Sequence, residues 1–176
     1  MEILSYNKLN IKDEDVTLFV TRAKAFVCTP DNKVWIATSN GGCQLPGGHV
    51  EQGEDVVATL IRELKEEAGV DVTVDEITGP FFELRHYIRN SENKNRLSKI
   101  QYFYVKTDKT PDKTKTNFTP HEKEYNFTIN YVDFDKVEDY VKSFMGHDQS
   151  QINKIIAQEV LEAFYKLKDF LNNKDE

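Results

Sequence analysis

The chain of 176 residues has only two cysteines, one tryptophan and two methionines. Cys28 and Cys43 form no CxxC pair, and none of His49, His86, His121 and His147 stands at ligand spacing from another. Neither a disulfide framework nor a zinc site is expected, and two free thiols fit a reducing compartment, with the cytoplasm as the expected location. No apolar run approaches the roughly 20 residues of a membrane span. The opening MEILSYNKLNIKDED lacks a basic start followed by an apolar stretch, so no secretory signal is read there. Repeats, low-complexity tracts and breaks in composition are also missing. The whole length, 1–176, is read as one domain, with 1–16 as an N-terminal extension.

What is present fits a globular enzyme: 39% hydrophobic residues, 30% charged and a net charge of −7. That acidity argues against extended nucleic-acid binding. Residues 85–117 run the other way, with nine Lys/Arg against three acids. Phe81–Arg89 and Ile100–Lys106 read as two strands of a hairpin joined by a long polar loop, Asn90–Lys99. Its basic residues either protect exposed strand edges or grip substrate phosphates. Ala23–Cys28, Val34–Thr38 and Phe127–Val132 read as strands, Val70, Val72 and Val74 alternate as a strand does, and Asp135–Ser143 reads as a short helix. Ser150–Asn172 repeats Ile152, Ile155, Ile156, Val160, Phe164, Leu167 and Leu171 at helical spacing, with Ser150 as N-cap. Packing of that stripe on the parent domain is favoured over a dimer surface; both monomer and homodimer stay open. Strands mixed with helices imply helices layered on a sheet.

The most informative segment is Gly47–Val70, GGHVEQGEDVVATLIRELKEEAGV. On a helical wheel with Glu63 at 0°, Glu66 falls at about 300° and Glu67 at about 40°, so the three carboxylates point one way. Val57, Leu60, Ile61, Leu64 and Ala68 form the neighbouring apolar stripe. The acidic face therefore borders the core, as the wall of a cleft does. Like charges at i, i+3 and i+4 repel; a hard divalent cation such as Mg²⁺ or Mn²⁺ reverses that sign by taking carboxylate, carbonyl and water oxygens.

Gly48, Glu54 and then Arg62-Glu63-Leu64-Lys65-Glu66-Glu67-Ala68-Gly69-Val70 resemble the Nudix box of MutT-like hydrolases at every specified position, led in by Leu45-Pro46-Gly47. A chance match in a chain of this length has odds on the order of 10⁻⁷. The resemblance implies an α/β/α sandwich with a mixed central sheet and the box as loop–helix–loop, to which the spacing of 150–172 adds a C-terminal amphipathic helix. It also implies hydrolysis of the pyrophosphate of a nucleoside diphosphate linked to another moiety, with a Mg²⁺ or Mn²⁺ cofactor and a small nucleotide as substrate. Position by position, Glu63, Glu66, Glu67 and the Gly47 carbonyl would be metal ligands. Arg62 would orient the glutamates, while Glu54, Gly48 and Gly69 would be structural. Glu63 is the first choice for catalytic base. A further carboxylate is expected from His121-Glu122-Lys123-Glu124, with Glu124 favoured over Glu122 as a ligand.

Two departures bear on substrate. Many relatives carry arginine at the end of the strand before the box, where this chain has Thr38-Ser39-Asn40. The phosphate contact such an arginine can make is then either absent or supplied by Arg22, Lys24 or Arg85, and from the basic segment Arg85, Arg89, Arg96 or Lys99 is read as the residue that would grip phosphate. Tyr87 lies near the place where relatives that split dinucleoside polyphosphates tend to have tyrosine. Two alternatives to a small-nucleotide hydrolase stay open: an RNA 5′-end pyrophosphohydrolase and a non-catalytic nucleotide sensor.

Overall fold

The computed structural model describes residues 1–173. Its strands are β1 (Glu2–Tyr6), β2 (Leu18–Cys28), β3 (Lys33–Ser39), β4 (Gly42–Gln44), β5 (Ile77–Arg89), β6 (Asn95–Lys106) and β7 (Thr128–Asp133). The α-helices are α1 (Val56–Ala68), α2 (Pro120–Glu124), α3 (Val137–Lys142) and α4 (Gln151–Asn172). The strands form one mixed sheet in the order β1-β5-β6-β2-β3-β4, with β7 paired to β3. β1 runs parallel to β5 and β2 parallel to β6, while β5 and β6 are antiparallel.

Alternation along the central strands builds a core on each face. Phe26 and Cys28 point toward α3 and α4, whereas Ala23, Ala25 and Val27 point toward α1; Ile36 and Trp35 divide in the same way. The result is the expected sandwich of helices on a mixed sheet. In α4, Ser150 caps the first turn by accepting from the Asn153 N–H at 3.2 Å, and Val160, Phe164 and Leu167 are buried. Ile152 and Ile155, at the same end of the stripe, are exposed instead, 59% and 43%, while Asn153 and Ala157 of the same turns are the buried residues. Among the described residues no helix is long and apolar enough to cross a membrane. Both cysteines are free and buried.

Two local expectations are corrected. Residues 70–74 form no strand. Val70 and Val72 fill the core beside α1, but Thr73 and Glu76 close a capping box around a 3-10 turn, so the backbone groups are satisfied locally. The hairpin loop shrinks to Asn90–Lys94, with Arg89 already paired to Asn95. There the Asn90 carboxamide accepts from Glu92 N and Lys94 N at 3.1 and 2.9 Å, and the polar run beyond it extends β6 because Leu97 packs on Ile11 and Val16. Within the N-terminal residues, β1 forms an edge of the sheet.

Candidate active site

The turn before α1 is stitched to β2. Ala25 N donates to Pro46 O at 3.1 Å, Ala23 N to Gly48 O at 2.9 Å and Val50 N to Thr21 O at 2.9 Å. This lays the chain so close to the strand that a Cβ on Gly47 would stand 2.2 Å from Ala23 O, with φ at +116°. At Gly48 a Cβ would fall 2.2 Å from Glu63 Oε1. Both glycines make room, one for the strand and one for a carboxylate. Asp55 caps α1 through Val57 N and Ala58 N, and Gly69 ends it in the left-handed region at φ 67°, donating to Leu64 O and Lys65 O.

Arg62 organises the acidic face. Its Nε and Nη2 donate to the two oxygens of Glu54 at 2.9 and 3.0 Å. Its Nη1 reaches Glu63 Oε1 at 2.9 Å and Glu66 Oε2 at 3.1 Å, and Nη2 also meets His49 O at 3.1 Å. Glu54 further accepts from Thr59 Oγ1 at 2.6 Å and Glu51 N at 3.2 Å, which leaves it a bracing role. The Arg62 guanidinium holds the Glu54 carboxyl down at about 2. Glu67 is buried, and its Oε2 accepts from Gly47 N at 2.7 Å. Burial pushes its carboxyl up, and does the same to Glu63 in spite of Arg62.

These groups form one end of a cleft of about 790 Å³. Arg22, Lys24 and His49 border it from β2 and the turn, with Arg22 Nε donating to His49 Nε2 at 3.1 Å. An aromatic wall of the same cleft carries Tyr102, Phe118, Phe127, Ile156 and Val160, with Glu159 and His121 among them. Phe118 and Phe127 pack at 5.6 Å between ring centres. The segment entering this wall is strapped to the end of α1, with Asp112 N on Ala68 O and Asn117 N on Glu66 O, both at 2.8 Å.

Several expected residues stand elsewhere. Glu124 lines a separate shallow depression with Thr38, Asn40 and Asn126, because α2 turns it away; Glu122 is the carboxylate on the cleft. There Glu122 closes a capping box, accepting from Thr119 N at 2.6 Å and Thr119 Oγ1 at 2.8 Å. Arg85, Tyr87 and Arg89 are not on the cleft either. Arg85 pairs with buried Glu83 at 2.6 Å, Tyr87 donates to Asp13 at 2.6 Å and Arg89 to Asn95 at 3.1 Å. Sequence reasoning missed the aromatic wall, whose members come from four distant segments. Lys24 carried a signal in the alternation Arg22-Ala23-Lys24, which sends two cations to one strand face.

The sequence model of the NUDIX domain matches residues 10–154. The chain belongs to the NUDIX domain family. It is a Nudix hydrolase, of the class that cleaves pyrophosphate linkages, and Nudix hydrolases generally use divalent cations. No curated protein matches it in sequence. Among solved structures it is similar in fold to the NUDIX domain of Shewanella oneidensis NrtR complexed with ADP ribose, at 13% identity and a TM-score of 0.58, over 92% of this chain and 94% of that one. It also resembles a C. elegans Ap4A hydrolase at 18% identity and 0.53, over 88% and 98% of the two chains. The MutT protein from Bacillus halodurans gives 20% and 0.52, over 81% and 82%.

Among the described residues no three His, Cys, Asp or Glu side chains are already gathered as a metal centre. The reason is visible in the contacts: Glu63 and Glu66 turn to Arg62, and Glu67 turns to the Gly47 amide. The donor set itself fits a hard cation. It is all oxygen, it lies on one side of α1, and Glu67 brings a buried carboxylate with a spare oxygen.

Proposed function

We propose that this Nudix protein is a divalent-metal-dependent hydrolase of a small nucleoside diphosphate linked to a second group, using Mg²⁺ or Mn²⁺ in the cytoplasm. The observation that carries the reading is a single cleft lined both by Glu63, Glu66 and Glu67 and by an aromatic wall. The carboxylates suit a pyrophosphate with its counter-cation, the aromatic wall a planar base.

Glu63, Glu66, Glu67 and the Gly47 carbonyl would hold the cation. When bound, it neutralises charge on the phosphates and acidifies the attacking water. Arg62 braces Glu63 and Glu66, holding one oxygen of each. Glu63 takes the proton from the water, and burial has already raised its proton affinity in the useful direction. Arg22 is the phosphate contact at the rim, in place of the Arg85 and Arg89 read from sequence.

A small substrate is favoured over an RNA end because Arg85 and Arg89 of the basic hairpin are tied to Glu83 and Asn95 and do not line the cleft. The test is phosphate release with Mg²⁺ or Mn²⁺ across nucleoside triphosphates, dinucleoside polyphosphates, ADP ribose, nucleotide sugars and coenzyme A, with Glu67→Gln run beside the wild type. ADP ribose and Ap4A, named for two of the similar structures, are tried first. Metal-dependent turnover lost in the variant supports the reading; silence from folded, metal-binding protein sinks it in favour of ligand sensing.

A further inference from the structure

Lys24, on β2, reaches the box turn from outside the box. Its ammonium donates to Leu45 O at 2.9 Å, to Gln44 Oε1 at 3.4 Å and to the Gly47 carbonyl. The other end of the same residue is taken as well, since the Gly47 N–H bonds Glu67 at 2.7 Å. Lys24 and Glu67 therefore grip Gly47 from opposite sides, cation on carbonyl and carboxylate on amide. Arg62 cannot share this task, because Glu54, Glu63, Glu66 and His49 O already engage its three nitrogens.

We propose that Lys24 is the resident cation of this site: it holds the Gly47 carbonyl while no divalent ion is bound and releases that oxygen when one arrives. The inference rests on the reading of Gly47 and the box glutamates as the metal site.

The physical case has three parts. Buried carboxylates are costly without an opposite charge beside them, and Lys24, bonded to no carboxylate, lies close enough to Glu67 and Glu63 to supply it. An ammonium and a divalent ion on one oxygen would repel at short range in a poorly solvated site. Lysine also suits an occupant that must leave, being a point charge on a flexible four-carbon stem, where arginine is a fixed fork. Once displaced, the ammonium swings into a cleft it already borders, where phosphate oxygens of a substrate are the available acceptors. Ion binding would thus arm a substrate contact.

The experiment follows the Lys24 side chain itself. Wild-type protein carrying ¹⁵Nζ,¹³Cε-lysine is titrated with Mg²⁺ by NMR, beside calorimetry of the same titration. The Lys24 resonance should move and saturate together with the heat of ion binding. Lys24→Met keeps the stem and removes the charge. It should bind Mn²⁺ about tenfold more tightly, counted by the electron-paramagnetic signal of free ion, because a competing cation is gone. Its melting temperature should fall without ion and recover with Mn²⁺. Ion binding with an unmoved Lys24 resonance, or unchanged or weaker Mn²⁺ affinity in the variant, overturns the inference and leaves the proposed function standing. No ion binding to wild type overturns the function beneath it. Should Lys24→Met fail to fold, the wild-type titration decides alone, with Lys24 assigned through its bond to a ¹³C-carbonyl-labelled Ala23.

Discussion

The two walls of the cleft are built by opposite means. The acidic wall is one continuous piece, Gly47 to Gly69, in which a turn, a cap and a helix bring Glu63, Glu66 and Glu67 together with Arg62 as their brace. The aromatic wall is assembled from β6, the 117–122 segment, Phe127 and α4, and none of its parts is close in sequence to all the others. One wall depends on local geometry and the other on the whole tertiary fold. Chemistry common to a family can be written in the first; selectivity among substrates belongs to the second.

That division can be attacked from either side. The largest effect is expected at the acidic wall: Glu63→Gln should lower kcat about 10²–10⁴-fold with the melting temperature nearly unchanged, in a steady-state phosphate-release assay. Arg62→Ala removes the brace and leaves three carboxylates to repel. It should cost about 2 kcal/mol in denaturant unfolding, below the range for a fully buried ion pair because these side chains keep some solvent contact. Phe118→Ala tests the other wall and should raise KM about tenfold with kcat kept, the signature of a contact made equally in ground and transition states. An equal fall in kcat would mean that the walls are not separable.

A smaller effect separates brace from chemistry by pH. Glu54 sits at about 2 in the folded protein against a usual 4.5, so the folded state binds its proton less readily than the unfolded chain. Its stabilisation is complete above about 4.5 and is lost as pH falls toward 2. Thermal unfolding of Glu54→Gln should therefore depend less steeply on pH in that acid window than wild type. The smallest effect is expected for Arg89→Ala on the outer hairpin, with kcat/KM kept within about twofold, as for a surface side chain remote from the cleft. A larger loss would restore that arginine to substrate binding.

The same contrast explains what could be read from residues alone. A helix with Gly69 after it and glutamates at i, i+3 and i+4 is specified by neighbours in sequence, so its C-terminal end and acidic face were legible, while the Asp55 cap came only with the structure. Ser150 announced α4 for the same reason. The strand read at 70–74 failed because alternating valines report burial but not a hydrogen-bonding partner, and Thr73 with Glu76 supplied that partner locally. Glu124 and Glu122 differ by two residues in a helix of one turn, too short for periodicity to say which faces inward. Arg85 was drawn away by Glu83, two positions back on the same strand face, a pairing that motif comparison does not weigh.

The strap between Asp112 and Asn117 has a consequence for how such a cleft can change over generations. It ties the entry of the aromatic wall to the carbonyls of Glu66 and Ala68, backbone atoms that any side chains at those positions would offer. Insertions and substitutions after Asn117 can therefore reshape the substrate side without shifting the register of the carboxylates. The molecule holds a fixed fitting and an exchangeable one, joined by two hydrogen bonds that are indifferent to what is exchanged.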